Sequence, residues 1–512
     1  MRVLYWLSLV VLVLGVAWLS ARMIWPVPST EGREIQTAIP FDPATTYGSR
    51  AADAAAAHPG QSGVLPLGDP VMALDSRLQL AGLAERSVDV MYYIWHDDIS
   101  GILLMDALKR AAERGVRVRL LVDDNGIKGL DAILATMNDL PNFDVRLFNP
   151  STIRSPKFAG YVLSPIRMNR RMHNKAFIVD GAAAIVGGRN IGDEYFAMGD
   201  VPAYLDLDVL GVGAVVADTA AIFDEYWNSA PVIELERVID TPGDMAAFEA
   251  RLAEIRAEPD AARFSPDDAT PTTALAQGNA PLEWTDVQVV ADDPAKGLGQ
   301  VQRSGLMIAR LGEILGRVET NLDMMSAYFV PGKAGTAFFS DLARQGHRVE
   351  IMTNSWLATD VPMVHAGYVK YRRDLLEAGV TLFELRELEG QPQGRDELRP
   401  SGASGASLHA KTFSIDDSRV FIGSFNFDPR SALLNCEMGF LIDSPSMAKQ
   451  GRLALEGLAQ RSYRPALEDG NMVWYATGPD GGELRFEHEP GLGFKDRVLV
   501  YVLNVLPIEW LL

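Results

Sequence analysis

MHNKAFIVDGAAAIVGGRNIGD (172–193) and LHAKTFSIDDSRVFIGSFNFD (408–428) are one pattern written twice. The first holds His173, Lys175, Asp180 and Asn190; the second holds His409, Lys411, Asp416 and Asn426. In both, Lys follows His by two, Asp follows Lys by five, and Asn follows His by seventeen. A lone His-x-Lys carries little information. Two copies agreeing at four positions mark a duplication.

Residue types predict the local structure. AFIV (176–179) and TFSI (412–415) are apolar or β-branched and read as strands. Asp180-Gly181 is a hairpin-turn signal and Asp416-Asp417-Ser418 a looser one. AAIVGG (183–188) and RVFIGS (419–424) read as the returning strands. Side chains alternate along a strand, so His and Lys, two apart, share a face. The Asp sits at the turn, away from that face, and is expected to order the turn. Gly187-Gly188 and Gly423-Ser424 leave space, and each Asn adds a donor.

A neutral His beside a Lys suits attack on phosphorus. The Lys neutralises phosphate oxygens. With two copies, one His serves as nucleophile and the other as general acid, then base. That is a phosphoryl-transfer site needing no metal and no cofactor. A satisfied core residue is the competing reading for either His taken alone.

These motifs resemble those of the phospholipase D superfamily, whose mark is a duplicated H-x-K-x4-D followed by G-[GS]-x-N. SFNFDPRSALLNCEMGF (424–440), YYIWHDDISG (92–101), VHAGY (364–368) and PIEWLL (507–512) narrow the resemblance to bacterial cardiolipin synthases. It covers most of the chain from about His58 onward. The resemblance implies a catalytic group of His173, Lys175, Asp180, His409, Lys411 and Asp416. It implies phosphate binding by Asn190, Ser424 and Asn426. It also implies that Asp206 and Glu437 hydrogen-bond the imidazoles, crosswise between repeats, though either could instead be a structural carboxylate. The implied substrates are membrane phospholipids, phosphatidylglycerol or phosphatidylethanolamine. The implied product is cardiolipin, made through a phosphohistidine. Members of such families can depend on a neighbouring membrane protein, and no residue here identifies one. Hydrolysis to phosphatidic acid, nuclease chemistry, and lipid binding at a dead site are the alternatives.

The chain has 512 residues, ample for two cores, and a net charge of −20, which opposes nucleic-acid binding. Its one cysteine, Cys436, excludes an intramolecular disulfide and reads as a buried filler. No C-x-x-C or H-E-x-x-H pattern is present.

Residues 3–19 carry no charge. As a helix they reach about 26 Å, just short of a hydrocarbon core of about 30 Å. They are expected to form an uncleaved anchor (1–25) in the bacterial cytoplasmic membrane, with a cleaved signal peptide as the alternative. The folded part is expected on the periplasmic side. Residues 26–62 read as a tether, 63–258 as the first repeat, 259–281 as a linker, and 282–512 as the second repeat with an apolar tail. Within each repeat strands alternate with helices, which predicts an α/β fold with two mixed sheets flanked by helices. Eighty residues separate Tyr93 from His173, and 81 separate Tyr328 from His409, so the duplication extends far beyond the motifs. RMNRRM (167–172) reads as a positive rim for anionic head groups, or as a solvated charge run. Glu389–Ser407 reads as a loop over the site.

Overall fold

The computed structural model describes residues 2–264, 271–387, 407–506 and 509. All of the loop expected over the site (389–407) but Ser407, and all of PIEWLL but Glu509, lie outside them. The described strands form a nine-stranded and a ten-stranded sheet, one for each repeat. In the first, Ser87–Ile94, Arg117–Gly126 and Phe143–Phe148 run parallel. In the second, Asn321–Ser326, Arg348–Asn354 and Thr381–Leu385 do the same. Each motif's hairpin then joins antiparallel: Ala176–Val179 pairs with Ser87–Ile94, and Lys411–Ile415 with Asn321–Ser326.

Capping residues fix several boundaries. Asp69 accepts from Met72 N and starts helix Pro70–Leu83, with Pro in its first turn. Asp98 accepts from Gly101 N and starts Ile99–Glu113, which ends before Gly115 at a φ of 94°. Asp180-Gly181 turns with φ of 52° and 62°, and Asp416-Asp417 with 55° and 50°. The second turn is thus as tight as the first. Asp tolerates the left-handed region better than most residues, so the missing Gly is not decisive.

The sheets pack on one another through their hairpin sides. One buried cluster joins Ile178, Ala184, Val186 and Val209 of the first repeat to Val420, Ile422, Met438 and Phe440 of the second. A Cβ on Gly211 would lie 3.3 Å from the ring of Phe440, so the missing side chain makes room for that contact. This shared core brings the two motifs together.

The edges differ from expectation. Strand Glu283–Thr285 pairs with Ser62–Leu67 and completes the first sheet, so the second sheet's own strands start at Val287–Ala291. Within the expected linker, Pro259–Arg263 and Pro271–Gln277 are helical. The expected tether is partly a strap. Arg33 Nη2 donates to the carbonyls of Asn228 (2.6 Å) and Ser229 (2.8 Å), and Ala38 N to Asp224 (2.7 Å). Helix Thr46–Ala56 follows, burying Tyr47 and Ala51. These contacts go to backbone groups and a carboxylate that no local pattern reveals.

The N-terminal helix Arg2–Ile24 has an exposed apolar stretch, Leu4–Ile24, of 21 residues. That length is about 32 Å, enough to cross a bilayer. The helix continues past Leu19 to Ile24, and Arg22 lies over the ring of Trp18 at 4.8 Å. At the other terminus, helix Phe494–Val505 packs Val500 against Trp356 and Ala366 of the second repeat.

Candidate active site

Both histidines lie where the parallel strands of their sheets end. Asp123, near the end of Arg117–Gly126, accepts from Met172 N at 2.8 Å. Asn354, ending Arg348–Asn354, accepts from Leu408 N at 2.9 Å and donates to the Leu408 carbonyl. Each repeat thus grips the residue before its own histidine.

The other repeat grips the histidine itself. His173 N donates to the Cys436 carbonyl and His409 N to the Leu205 carbonyl, each at 2.8 Å. The residues that follow those carbonyls are Glu437 and Asp206. Glu437 Oε2 stands 2.8 Å from His173 Nδ1, and Asp206 Oδ2 stands 2.5 Å from His409 Nδ1. Each imidazole therefore presents its Nε2 for chemistry, with Nδ1 engaged by a carboxylate of the opposite repeat.

The two carboxylates are supported differently. Ser424 and Ser431 donate their hydroxyls to the two oxygens of Glu437. Asp206 instead accepts from Leu207 N, and Arg189 holds its carbonyl at 2.7 Å. A Cβ on Gly188 would sit 2.1 Å from Asp206 Oδ1. The difference between Gly187-Gly188 and Gly423-Ser424 follows: the first copy must vacate the space its carboxylate fills, whereas the second supplies a donor. Burial pushes Glu437 above its ordinary value, and Lys175, Ser424 and Ser431 offset only part of this. Burial would raise Asp206 too, but His409, Lys411 and Arg189 outweigh it and hold it below the usual carboxylate range.

Lys175 and Lys411 are buried beside their histidines, and each donates to the histidine carbonyl two residues back. Lys411 Nζ is 3.2 Å from His409 Nε2. Burial lowers both ammonium groups, strongly for Lys175, while Glu437 and Asp206 oppose the shift. Burial, then Lys175 and Lys411, lowers His173 well below the ordinary imidazole value. Burial and Lys411 lower His409 as well, but Asp206 counters them.

Other expected site residues are placed otherwise. Asp180 lies at the far end of Ala176–Val179 and accepts from the backbone N of Glu85, Arg86 and Ser87. Asp416 likewise accepts from the backbone N of Glu319, Thr320 and Asn321. Both clamp the chain entering the first parallel strand of their repeat, away from the imidazoles. Ser424, expected on phosphate, serves Glu437. Asn190 donates to Tyr195 Oη at 2.8 Å and accepts from Ile94 N, so its amide is already engaged. Asn426 Oδ1 is buried without a protein partner. Within the basic run, Arg171 is buried against Asp123 at 3.1 Å, and Arg167 donates to the Pro150 carbonyl.

Aromatic walls, Arg189 and Ser431 were not singled out from sequence. Tyr204 stacks on His409 at 5.1 Å, Tyr195 meets its edge, and Tyr93 meets the edge of His173 at 5.0 Å. Tyr93 stands in a stretch already noted for another reason, but nothing in the residues marks the neighbours of these rings.

The domain family described as "Cardiolipin synthase, PLD-like domain" matches residues 78–208 and 311–457, taking in both motifs. The chain belongs to that family. Cardiolipin synthase C of Escherichia coli is 44% identical over 459 residues, which is 89% of this chain and 97% of that protein. Cardiolipin synthase 2 of Staphylococcus epidermidis is 25% identical over 72% of this chain and 62% of its own length. The crystal structure of phosphatidylserine synthase from Haemophilus influenzae shares the fold, with a TM-score of 0.55 and 15% identity over 91% of this chain and 99% of that one. The reaction class of this family member is phosphatidyl transfer.

Proposed function

We propose that the chain makes cardiolipin by moving a phosphatidyl group from one phospholipid to phosphatidylglycerol through a phosphohistidine. The observation that carries this reading is the crossed pairing of His173 with Glu437 and His409 with Asp206. His173, the more strongly lowered of the two, is the neutral nucleophile. His409, whose proton Asp206 favours, is the acid and then the base.

In the first step His173 Nε2 attacks phosphorus. The bond from phosphorus to the departing glycerol or ethanolamine oxygen breaks, and His409 protonates that oxygen. In the second, a glycerol hydroxyl of phosphatidylglycerol gives its proton to His409 and attacks phosphorus. The phosphorus–nitrogen bond breaks and His173 is restored. Lys175, Lys411 and Asn426 face phosphate oxygens, while Ser424, Asp180, Asp416 and Asn190 hold the frame. Histidines only 7% and 5% exposed favour a lipid alcohol over water as acceptor.

Helix Arg2–Ile24 anchors the chain in a bacterial cytoplasmic membrane, with the folded part on the periplasmic side and Arg2 on the cytoplasmic side. Labelled phosphatidylglycerol, with and without phosphatidylethanolamine, tests the reading by thin-layer chromatography of products. Cardiolipin is expected, and its dependence on phosphatidylethanolamine identifies the donor. Phosphatidic acid as the sole product contradicts transfer.

A further inference from the structure

The apolar surface at the anchor continues onto the folded part. Phe158, Val162 and Ile166 recur at four-residue spacing through the short helical segments Ala159–Leu163 and Pro165–Met168. They are 69%, 63% and 71% exposed, while Leu163 and Met168 between and beyond them turn inward. Three large apolar side chains so close together and all outward form a patch that water does not favour.

The anchor identifies what covers them. Trp18 Nε1 donates to the Val162 carbonyl at 3.0 Å, and Thr152 Oγ1 donates to the Trp25 carbonyl at 3.1 Å. Trp18 lies a turn and a half inside the apolar span, roughly 9 Å along the helix axis from its end at Ile24. A bilayer that holds Leu4–Ile24 therefore also reaches the level of Val162. From there the path to the site is short. Tyr161 Oη donates to Asn125 Oδ1 at 2.7 Å, Asn125 Nδ2 to Tyr93 Oη at 3.3 Å, and Tyr93 meets the ring of His173.

We propose that residues 158–166 are a second membrane-embedded element, immersed in the leaflet from which the anchor emerges. The His173 side of the site then faces phospholipid within the bilayer, and substrate arrives laterally with its acyl chains still in lipid. The proposal rests on reading Arg2–Ile24 as a membrane span.

Cys436 is the chain's one cysteine and is fully buried, so engineered cysteines can be labelled selectively. A polarity-sensitive fluorophore is placed at Phe158→Cys, Val162→Cys, Leu12→Cys in the anchor and Glu483→Cys on an exposed strand edge. The full chain is reconstituted in vesicles of phosphatidylglycerol and phosphatidylethanolamine. Labels at 12, 158 and 162 are expected to shift to the blue, to be quenched by nitroxide lipid and to lose quenching by aqueous iodide. The label at 483 is expected to behave oppositely. Iodide quenching at 158 and 162 equal to that at 483, with 12 still protected, overturns the proposal and leaves the anchor intact. Iodide quenching at 12 as well overturns both.

Discussion

Asp206, on the first repeat, holds the ring of His409, on the second, at 2.5 Å, while the backbone N of that same histidine donates to the carbonyl preceding the aspartate. A ring fixed at both its backbone and its Nδ1 can take and give a proton at Nε2 without reorienting. Asp206→Asn keeps the shape and removes the charge. Turnover is expected to fall by about two to four orders of magnitude, the scale of lost general acid–base catalysis. KM should change little and the thermal melt should be retained. Unchanged kcat would make the contact structural only.

The other member of the cross is expected to respond through its serines. Ser424→Ala deprives Glu437 of one donor, which costs about 1 kcal/mol and so up to roughly tenfold in rate. Gly188→Ala places a methyl group where Asp206 Oδ1 now lies, 2.1 Å away, and is expected to be far more damaging. Steady-state kinetics on the two variants checks the order. Equal effects would mean that the two copies are supported alike.

The motif aspartates give the opposite signature. Asp180 accepts three backbone N–H groups. Asp180→Ala is expected to lower stability by about 2–3 kcal/mol, the range for hydrogen bonds to a charged group. The variant's kcat per folded molecule should hold. Urea titration and active-site titration separate the two quantities. A large loss of kcat in fully folded protein would return Asp180 to the catalytic group.

The duplication, both mixed sheets and the His–Lys pairs were legible because they rest on period and spacing within a few dozen residues. The support of the imidazoles was not. Glu437 reaches His173 only because Ile178, Val186, Ile422 and Phe440 pack the two sheets together. No pattern within one repeat contains that contact. Ser424 and Asn190 were read towards phosphate for the same reason: spacing fixes the face a side chain occupies, not the partner it finds. Arg171 reads from sequence as part of a rim because its buried partner, Asp123, lies 48 residues away.

Phe440 carries much of that packing and is fully buried. Phe440→Ala is expected to cost about 3–5 kcal/mol. It should also lower kcat, since the crossed pairs depend on the sheets' alignment. A reduced melting temperature with wild-type turnover below the transition would show that the repeats align without this contact.

The pH profile follows from the histidines. Activity should rise as His173 loses its proton and fall as His409 loses its own. After burial, Lys175 is the group that lowers His173 most, whereas the charges that act most on His409 are Lys411 and Asp206. Lys175→Met removes a positive charge, so the His173 pKa rises. The acid limb of the residual kcat/KM is expected to move to higher pH while the alkaline limb stays. A shift of the alkaline limb alone would reverse the assignment of roles.

In the proposed mechanism His173 carries the phosphatidyl group while His409 moves the proton. A phosphatidyl ester with an activated phenol leaving group needs no protonation to depart, so the first step no longer requires His409. The measurement is rapid denaturing quench of the His409→Ala variant with this labelled substrate, followed by peptide mapping. Label on the peptide that contains His173, absent from His173→Ala, is the predicted result. Label on His409 in the His173→Ala variant, with none on His173 in its counterpart, would contradict it.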